Sequence, residues 1–353
     1  MLLVDYILKK PQIFRMNIGK GIIFILSMAA AIGTQAANYL FTAQNSYDVF
    51  DESNWVVVTE PSFSIWTLPH SYAEGAYSPA TAPVAGNTIG FVRYSLGDSA
   101  AVDGPGQMVI SSSLQVAGFI DRSSRSSTIY LGGAGKENED MNFEISGNLE
   151  IGYSNIQSFV VSADASQKTF NMSIGDLLYL ANGTYNFGSK DRYLDTFTLK
   201  RGQLLFNGVN VNTYVNQMTV EADFNLDQHN ATSSLNKWTI YAPDTINSET
   251  AFVTIGGKLS KAEEQLIYID FSNVELLENT EYALISAAST SGFDFDNPEG
   301  DFEISGLDID FDFDLAWTDN TLYLTTVPEP QLASFAAALL GAVAVAVARR
   351  KFR

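Results

Sequence analysis

Met141, Phe143 and Ile145 are apolar, and Asn142, Glu144 and Ser146 alternate with them; Leu149 and Ile151 resume the pattern around Glu150. The same period of two returns at Phe170, Met172 and Ile174, at Phe197 and Leu199, at Val253 and Ile255, and at Leu322 and Leu324. Successive side chains of a strand point to opposite faces, so this spacing predicts strands with one face buried and one face wet. No stretch of 37–326 carries a convincing helical stripe. The best helix candidate, KAEEQLIY at 261–268, is short.

Several of these strands share a small internal similarity. An apolar pair, a kink residue, a polar residue and a second apolar pair recur around Gly147-Asn148-Leu149, Gly175-Asp176-Leu177, Gly202-Gln203-Leu204 and Gly257-Lys258-Leu259. Weaker copies centre on Ser112 and Ala222. A loose period in the twenties and thirties of residues suits a solenoid with one turn per repeat, and glycine in such a strand marks a bend. The apolar frame slips by one residue at Gly175 and Gly202, which keeps a second architecture open. The expected fold is therefore all-β, a right-handed β-helix-like solenoid or else a β-sandwich or jelly-roll.

One acidic run changes the picture locally. Phe293-Asp294-Phe295-Asp296 and Leu307-Asp308-Ile309-Asp310-Phe311-Asp312-Phe313-Asp314-Leu315 place apolar side chains on one face and aspartates on the other. Alternate residues of a strand lie about 6.6–7 Å apart, so Asp308, Asp310, Asp312 and Asp314 are candidates for sharing a calcium ion. The plainer reading is a solvated strand face whose charges protect an edge from pairing. No EF-hand or calcium-binding nonapeptide repeat supports the ion. No metal or cofactor is otherwise expected.

The chain has 353 residues, 46% of them apolar, which is enough for a substantial core. It has no cysteine, so disulfides and thiolate chemistry are excluded. Its two histidines, His70 and His229, cannot build a three-histidine metal site and lie in polar loops without a nucleophile motif; GxSxG and HExxH are absent. The net charge of −20 argues against a nucleic-acid partner, which needs a basic face. Lys200-Arg201 and Lys190-Asp191-Arg192 are the local basic clusters and are expected on the surface. Trp55 and Trp66 are expected to pack in the core or at an end cap.

The charge is unevenly distributed. Residues 1–36 hold Lys9, Lys10, Arg15 and Lys20 against Asp5, and residues 327–353 hold Arg349, Arg350, Lys351 and Arg353 against Glu329. That leaves 12 basic and 38 acidic residues in 37–326, a net −26. Each basic flank adjoins an apolar run. Gly21–Ile32 has the length of a signal-peptide apolar region, and Thr34-Gln35-Ala36 offers small residues for cleavage by signal peptidase after Ala36. The start is Met1 or Met16. Leu332–Ala348, at ~1.5 Å per residue, spans about 25 Å against a hydrocarbon core of about 30 Å. The basic residues at 349–353 would hold its end on the cytoplasmic side, with the body outside.

Between body and apolar run stands Val327-Pro328-Glu329-Pro330, where two prolines end regular structure. VPEP, an apolar helix and an Arg349-Arg350-Lys351 cluster in that order resemble the PEP-CTERM sorting tail of exported bacterial proteins. The resemblance covers 327–353. It implies recognition by an exosortase-type membrane enzyme, removal of the helix, and delivery to the cell surface or extracellular matrix. No LPxTG sortase motif is present. Phe50-Asp51-Glu52-Ser53-Asn54-Trp55 and Pro83-Val84-Ala85-Gly86-Asn87-Thr88-Ile89 loosely resemble the opening of solenoids with autotransporter-passenger-type repeats.

The expected organisation is a signal peptide at 1–36, a body at 37–326 and a sorting tail at 327–353. The expected function is a non-enzymatic surface or matrix protein that acts in structure or adhesion, with exopolysaccharide as a candidate partner. The alternative is a carbohydrate-binding or polysaccharide-degrading β-helix. The two readings separate on whether a concave groove lined with exposed aromatic rings also holds a carboxylate pair or a Lys/Arg.

Overall fold

The computed structural model describes residues 38–43, 46–58, 78–79, 83, 85–91, 106–121, 126–152, 156–204, 209–226, 236–307 and 311–328. They belong to one compact unit, Asn38–Arg353. It opens with strands β1 (Asn38–Phe41), β2 (Trp55–Val58), β3 (Ser78–Pro79) and β4 (Thr88–Phe91). Successive turns then follow: β5 (Gln107–Ile110), β6 (Leu114–Val116) and β7 (Gly118–Asp121); β8 (Ser127–Leu131), β9 (Met141–Ile145) and β10 (Leu149–Gly152). Next come β11 (Ile156–Val161) with β12 (Phe170–Ala181), β13 (Gly183–Phe187) with β14 (Leu194–Leu204), and β15 (Val209–Val220) with β16 (Phe224–Asn225). The last turns are β17 (Lys237–Tyr241) with β18 (Val253–Ser260), β19 (Ile267–Asp270) with β20 (Glu281–Ser291), and β21 (Phe302–Ser305). A hairpin of β22 (Phe311–Thr318) and β23 (Thr321–Pro328) closes the described chain.

Apart from β2, β3, β22 and β23, which pair antiparallel, these strands stack in three parallel ladders, and each turn from β5 to β20 adds one rung to each. The first is β5–β8–β11–β13–β15–β17–β19–β21. The second is β6–β9–β12–β14–β15–β18–β20. The third is β1–β4–β7–β10–β12–β14–β16–β18–β20. The long strands serve two ladders, and their register shifts where they bend, between Ile174 and Leu177 and between Ile255 and Lys258. The architecture is all-β and β-helix-like. A sandwich needs antiparallel sheets packed face to face, and the parallel ladders replace that alternative.

The glycines of the repeat explain the bend. A Cβ on Gly147 would lie 2.4 Å from the carbonyl oxygen of Ala117, and one on Gly175 would lie 2.4 Å from that of Ser146. At this corner the backbone of one turn rests directly on the turn before, and only glycine fits. Side chains that alternate inward fill the coil. Phe119, Phe143, Phe159, Phe187 and Phe197 form one continuous contact chain, with ring centroids between 4.6 and 6.4 Å apart from each to the next. All five are at most 1% exposed. Burying each such ring contributes about 1.5–3 kcal/mol, so the stack ties successive turns into one core.

Several local expectations need correction. KAEEQLIY forms no helix: Lys261 follows β18, Glu263 and Glu264 form a turn, and β19 begins at Ile267. The reason is Lys261, whose ammonium is drawn inside rather than left on a wet helix face. Phe293-Asp294-Phe295-Asp296 is not a strand either. The Asp294 carboxylate accepts hydrogen bonds from the backbone amides of Asp296 (3.0 Å) and Asn297 (3.2 Å), which curls the segment into a turn. β23 runs on through Val327 to Pro328, two residues past the expected end of the body. Proline is tolerated there because the strand stops at it.

The opening motifs behave as entry turns. Asn54 is buried and its amide donates to the Asp48 carbonyl (2.8 Å) and the Ser46 hydroxyl (2.9 Å). Trp55 is 1% exposed, with its indole N–H on the Val49 carbonyl at 2.7 Å, in line with core packing. Trp66, His70 and His229, the segment 1–36, and the residues from Glu329 onward lie outside the described residues. Among the described residues no helix is long and apolar enough to cross a membrane.

Candidate functional site

On the outer face of the first ladder, side chains that point away from the core line up from turn to turn. One column runs Ser158, Asn186, Asn212, Thr239, Tyr268 and Glu303. Beside it stand Tyr214, Tyr241, Asp270 and Ser305 on one side, and Thr184, Asn210 and Lys237 on the other. The columns exist because each strand alternates: in β17, Trp238 and Ile240 enter the core while Lys237, Thr239 and Tyr241 face out.

The upper part of the middle column is a hydrogen-bonded stack. The Asn186 amide donates to Ser158 Oγ at 2.8 Å, and the Asn212 amide donates to Asn186 Oδ1 at 2.7 Å. Below it the column opens into a cleft of about 410 Å³ lined by Asn212, Lys237, Thr239, Tyr241, Tyr268 and Asp270, with Glu303 at its edge. Thr239 is the small residue that makes the floor. Tyr241 is backed by Tyr214, their rings 3.9 Å apart and 11° from parallel. Tyr193 meets Tyr214 edge-on at 5.7 Å. The Lys237 ammonium sits 3.7 Å from the centre of the Tyr268 ring, a cation–π contact.

Around the corner lies a second cleft, of about 430 Å³, lined among others by Lys168, Lys190, Tyr193, Asp195, Asn216 and Asp244. Tyr193 lines this second cleft and meets Tyr214, the ring behind Tyr241; its hydroxyl donates to the Ala242 carbonyl (3.3 Å) and accepts from the Asn273 amide (3.1 Å). Arg192, expected on the surface, is half-buried instead. Its guanidinium donates to the carbonyls of Ser162 (3.2 Å) and Ala165 (2.8 Å) and covers the Phe170 ring at 4.9 Å. Lys200 and Arg201 are exposed, with Arg201 paired to Asp176 at 3.2 Å.

The ionisation of these groups follows from their surroundings. Partial burial works to raise the Asp270 carboxyl. Hydrogen bonds from Ser272 and Ser305 and the charge of Lys190 outweigh it and hold the group below its ordinary value. Asp270 is thus a carboxylate that accepts hydrogen bonds, not an acid poised to protonate a glycosidic oxygen. Burial pushes the Tyr214 phenol well above its ordinary range, and contact with Tyr241 adds to the shift. Tyr193 moves the same way, chiefly through burial.

The calcium candidates do not converge on this site. Asp312 and Asp314 are exposed on β22, with Phe313 and Leu315 turned inward; Asp308 and Asp310 lie outside the described residues. Among the described residues no three His, Cys, Asp or Glu side chains stand close enough together to hold a metal ion. Of the sorting residues, Val327 and Pro328 end β23, while Ala36, Glu329, Pro330, Arg349, Arg350 and Lys351 are outside the described part.

The tyrosine cleft was not singled out by sequence. Its signal lies in VNVNTYV (209–215), KWTIY (237–241) and IYID (267–270), where asparagine, threonine, tyrosine and aspartate occupy the alternate positions opposite an apolar set. The chain matches no protein-family model, no curated protein and no solved structure at a significant level.

Proposed function

We propose that this chain is an exported surface or matrix protein whose body is a non-catalytic β-helical scaffold for structure and adhesion. The signal peptide would be removed after Ala36 by signal peptidase. The helix 332–348 would hold the chain in the membrane until an exosortase-type enzyme acts at Pro328-Glu329-Pro330. The coil would be right-handed, as parallel crossover connections nearly always are.

The observation that supports this reading most is the coil's polar, self-bonded exterior, with two of its ladder ends covered by antiparallel strands. Besides the Ser158–Asn186–Asn212 stack, the second ladder carries Asn142, Asn171 and Thr196 bonded in series at 3.0 and 2.8 Å. The third ladder begins on antiparallel β1–β2–β3, and the second ends on antiparallel β23–β22. Caps of this kind protect those edges from pairing with another chain. A strongly acidic body also suits a hydrated matrix.

Fractionation of the native host tests the proposal. The wild-type body is expected at the cell surface or in the matrix. A variant with Pro328, Glu329 and Pro330 all changed to Ala should remain in the membrane fraction. A wild-type protein found in the cytosol would overturn it.

A further inference from the structure

We propose that the cleft between Tyr241 and Tyr268 binds a neutral polysaccharide chain built of pyranose units. Its role in adhesion rests on the scaffold reading above; its ligand does not, since binding by the isolated protein is independent of where the cell delivers it.

The rings supply the first argument. A pyranose presents a flat patch of C–H groups on one face and a rim of hydroxyls. A rigid aromatic ring takes the patch at low entropic cost, because tyrosine has only two side-chain torsions to fix. Tyr241 is preorganised by Tyr214 stacked behind it. Its neighbour on the next turn is not a third ring but Asp270, and the cleft opens there. Tyr268 stands one column over on that same turn, held by Lys237.

The polar groups supply the second. A sugar hydroxyl is both donor and acceptor, so a site that reads it needs both kinds of partner within reach. Asn210, Asn212 and Lys237 donate, Asp270 accepts, and Thr239 does either. The low-lying Asp270 carboxyl remains an acceptor throughout the neutral range.

Charge decides between a neutral and an ionic polymer. The cleft between Tyr241 and Tyr268 is lined by one cation, Lys237, and two anions, Asp270 and Glu303. The body as a whole has 12 basic and 38 acidic residues. The site therefore concentrates no positive charge, and the coil around it is acidic. A polyanion would be repelled before reaching it, and a polycation would be drawn to the rest of the surface instead. Because Tyr214 covers the other face of Tyr241 from the adjacent turn, the free ring face looks along the ladder, and a pyranose resting on it sets its chain across the ladder.

Affinity gel electrophoresis of the full-length protein tests this, with soluble mixed-linkage β-glucan, galactomannan and xylan as neutral probes and alginate as the acidic probe. At least one neutral polymer should retard the wild type. Tyr241→Ala and Tyr268→Ala should each weaken that binding about tenfold, while Tyr47→Ala, an exposed tyrosine away from the cleft, should leave it unchanged. Circular dichroism establishes that each variant is folded; should one fail, the other carries the test. No retardation by any neutral polymer, retardation by alginate alone, or equal retardation of folded wild type and tyrosine variants would overturn the assignment. None of these results touches the export reading, which fractionation judges separately.

Discussion

Lys261 and Asp301 meet inside the coil at 2.7 Å, with 0% and 6% of their side chains exposed. Asp301 also accepts the Asp294 amide at 2.6 Å, and the ammonium reaches the carbonyls of Ala262 and Glu263 and the Phe293 ring. The pair pins the loop after β20 to the loop after β18, one turn below. Removing one partner strands the other charge where water does not reach it. Lys261→Met should cost ~3–5 kcal/mol in urea unfolding. Lys261→Met combined with Asp301→Leu should recover much of that loss, because no lone charge is left buried. A single variant as stable as wild type would show that the pair is dispensable.

Tyr185 gives a pH prediction. Its ring is fully buried and its hydroxyl donates to the Ala181 carbonyl at 2.6 Å. Burial, with the Asp121 charge second, pushes its phenol far above the ordinary value. The folded state therefore keeps the proton after the unfolded chain has begun to lose it. The associated stability is complete below about pH 10 and declines as pH rises beyond it. Melting temperatures should fall on the alkaline side, and Tyr185→Phe should flatten that fall. Parallel curves for the two proteins above pH 10 would contradict the assignment.

Strand alternation was the most legible feature of the sequence. Met141, Phe143 and Ile145 are buried and Asn142 and Glu144 exposed, as period two requires. The repeat was legible in part. Gly147, Gly175, Ala222 and Gly257 do stand at the corner between the second and third ladders, each with its backbone on the turn before. Gly202 does not. It lies within the third ladder, in register with Leu178 and Phe224, and is small because the Phe224 ring occupies the space of its side chain.

From β9 and β10 to β12 the offset is the same on both sides of the corner: Ile145 pairs with Ile174 and Leu149 with Leu178, so aligning Leu149 with Leu177 is one residue out. The bulge lies one turn on, against β14, where Ile174 pairs with Leu199 but Leu177 with Arg201. It sets two residues opposite one, which reading a single strand does not show. The cleft was hidden for another reason. Tyr214 and Tyr241 become neighbours only through coil closure, and no local period links them.

Calcium should have no effect on stability. Asp312 and Asp314 are exposed on one strand, and a hard cation needs 6–8 oxygens converging on it. Melting curves in millimolar calcium and in EDTA should coincide. A melting temperature lowered by EDTA would show a site that stabilises the fold by mass action.

The central claim is that this body is exported and cut free from its tail. Leu332–Ala348 is alanine-rich, interrupted by Gly341 and just short of the thickness of a hydrocarbon core, so it suits a temporary anchor better than a permanent one. Intact-mass analysis of the protein from the surface of its native host tests this most directly. The account predicts a chain that begins near Ala37 and lacks Leu332–Arg353. A mass that still contains those last residues would make the tail an ordinary membrane anchor and contradict the sorting mechanism.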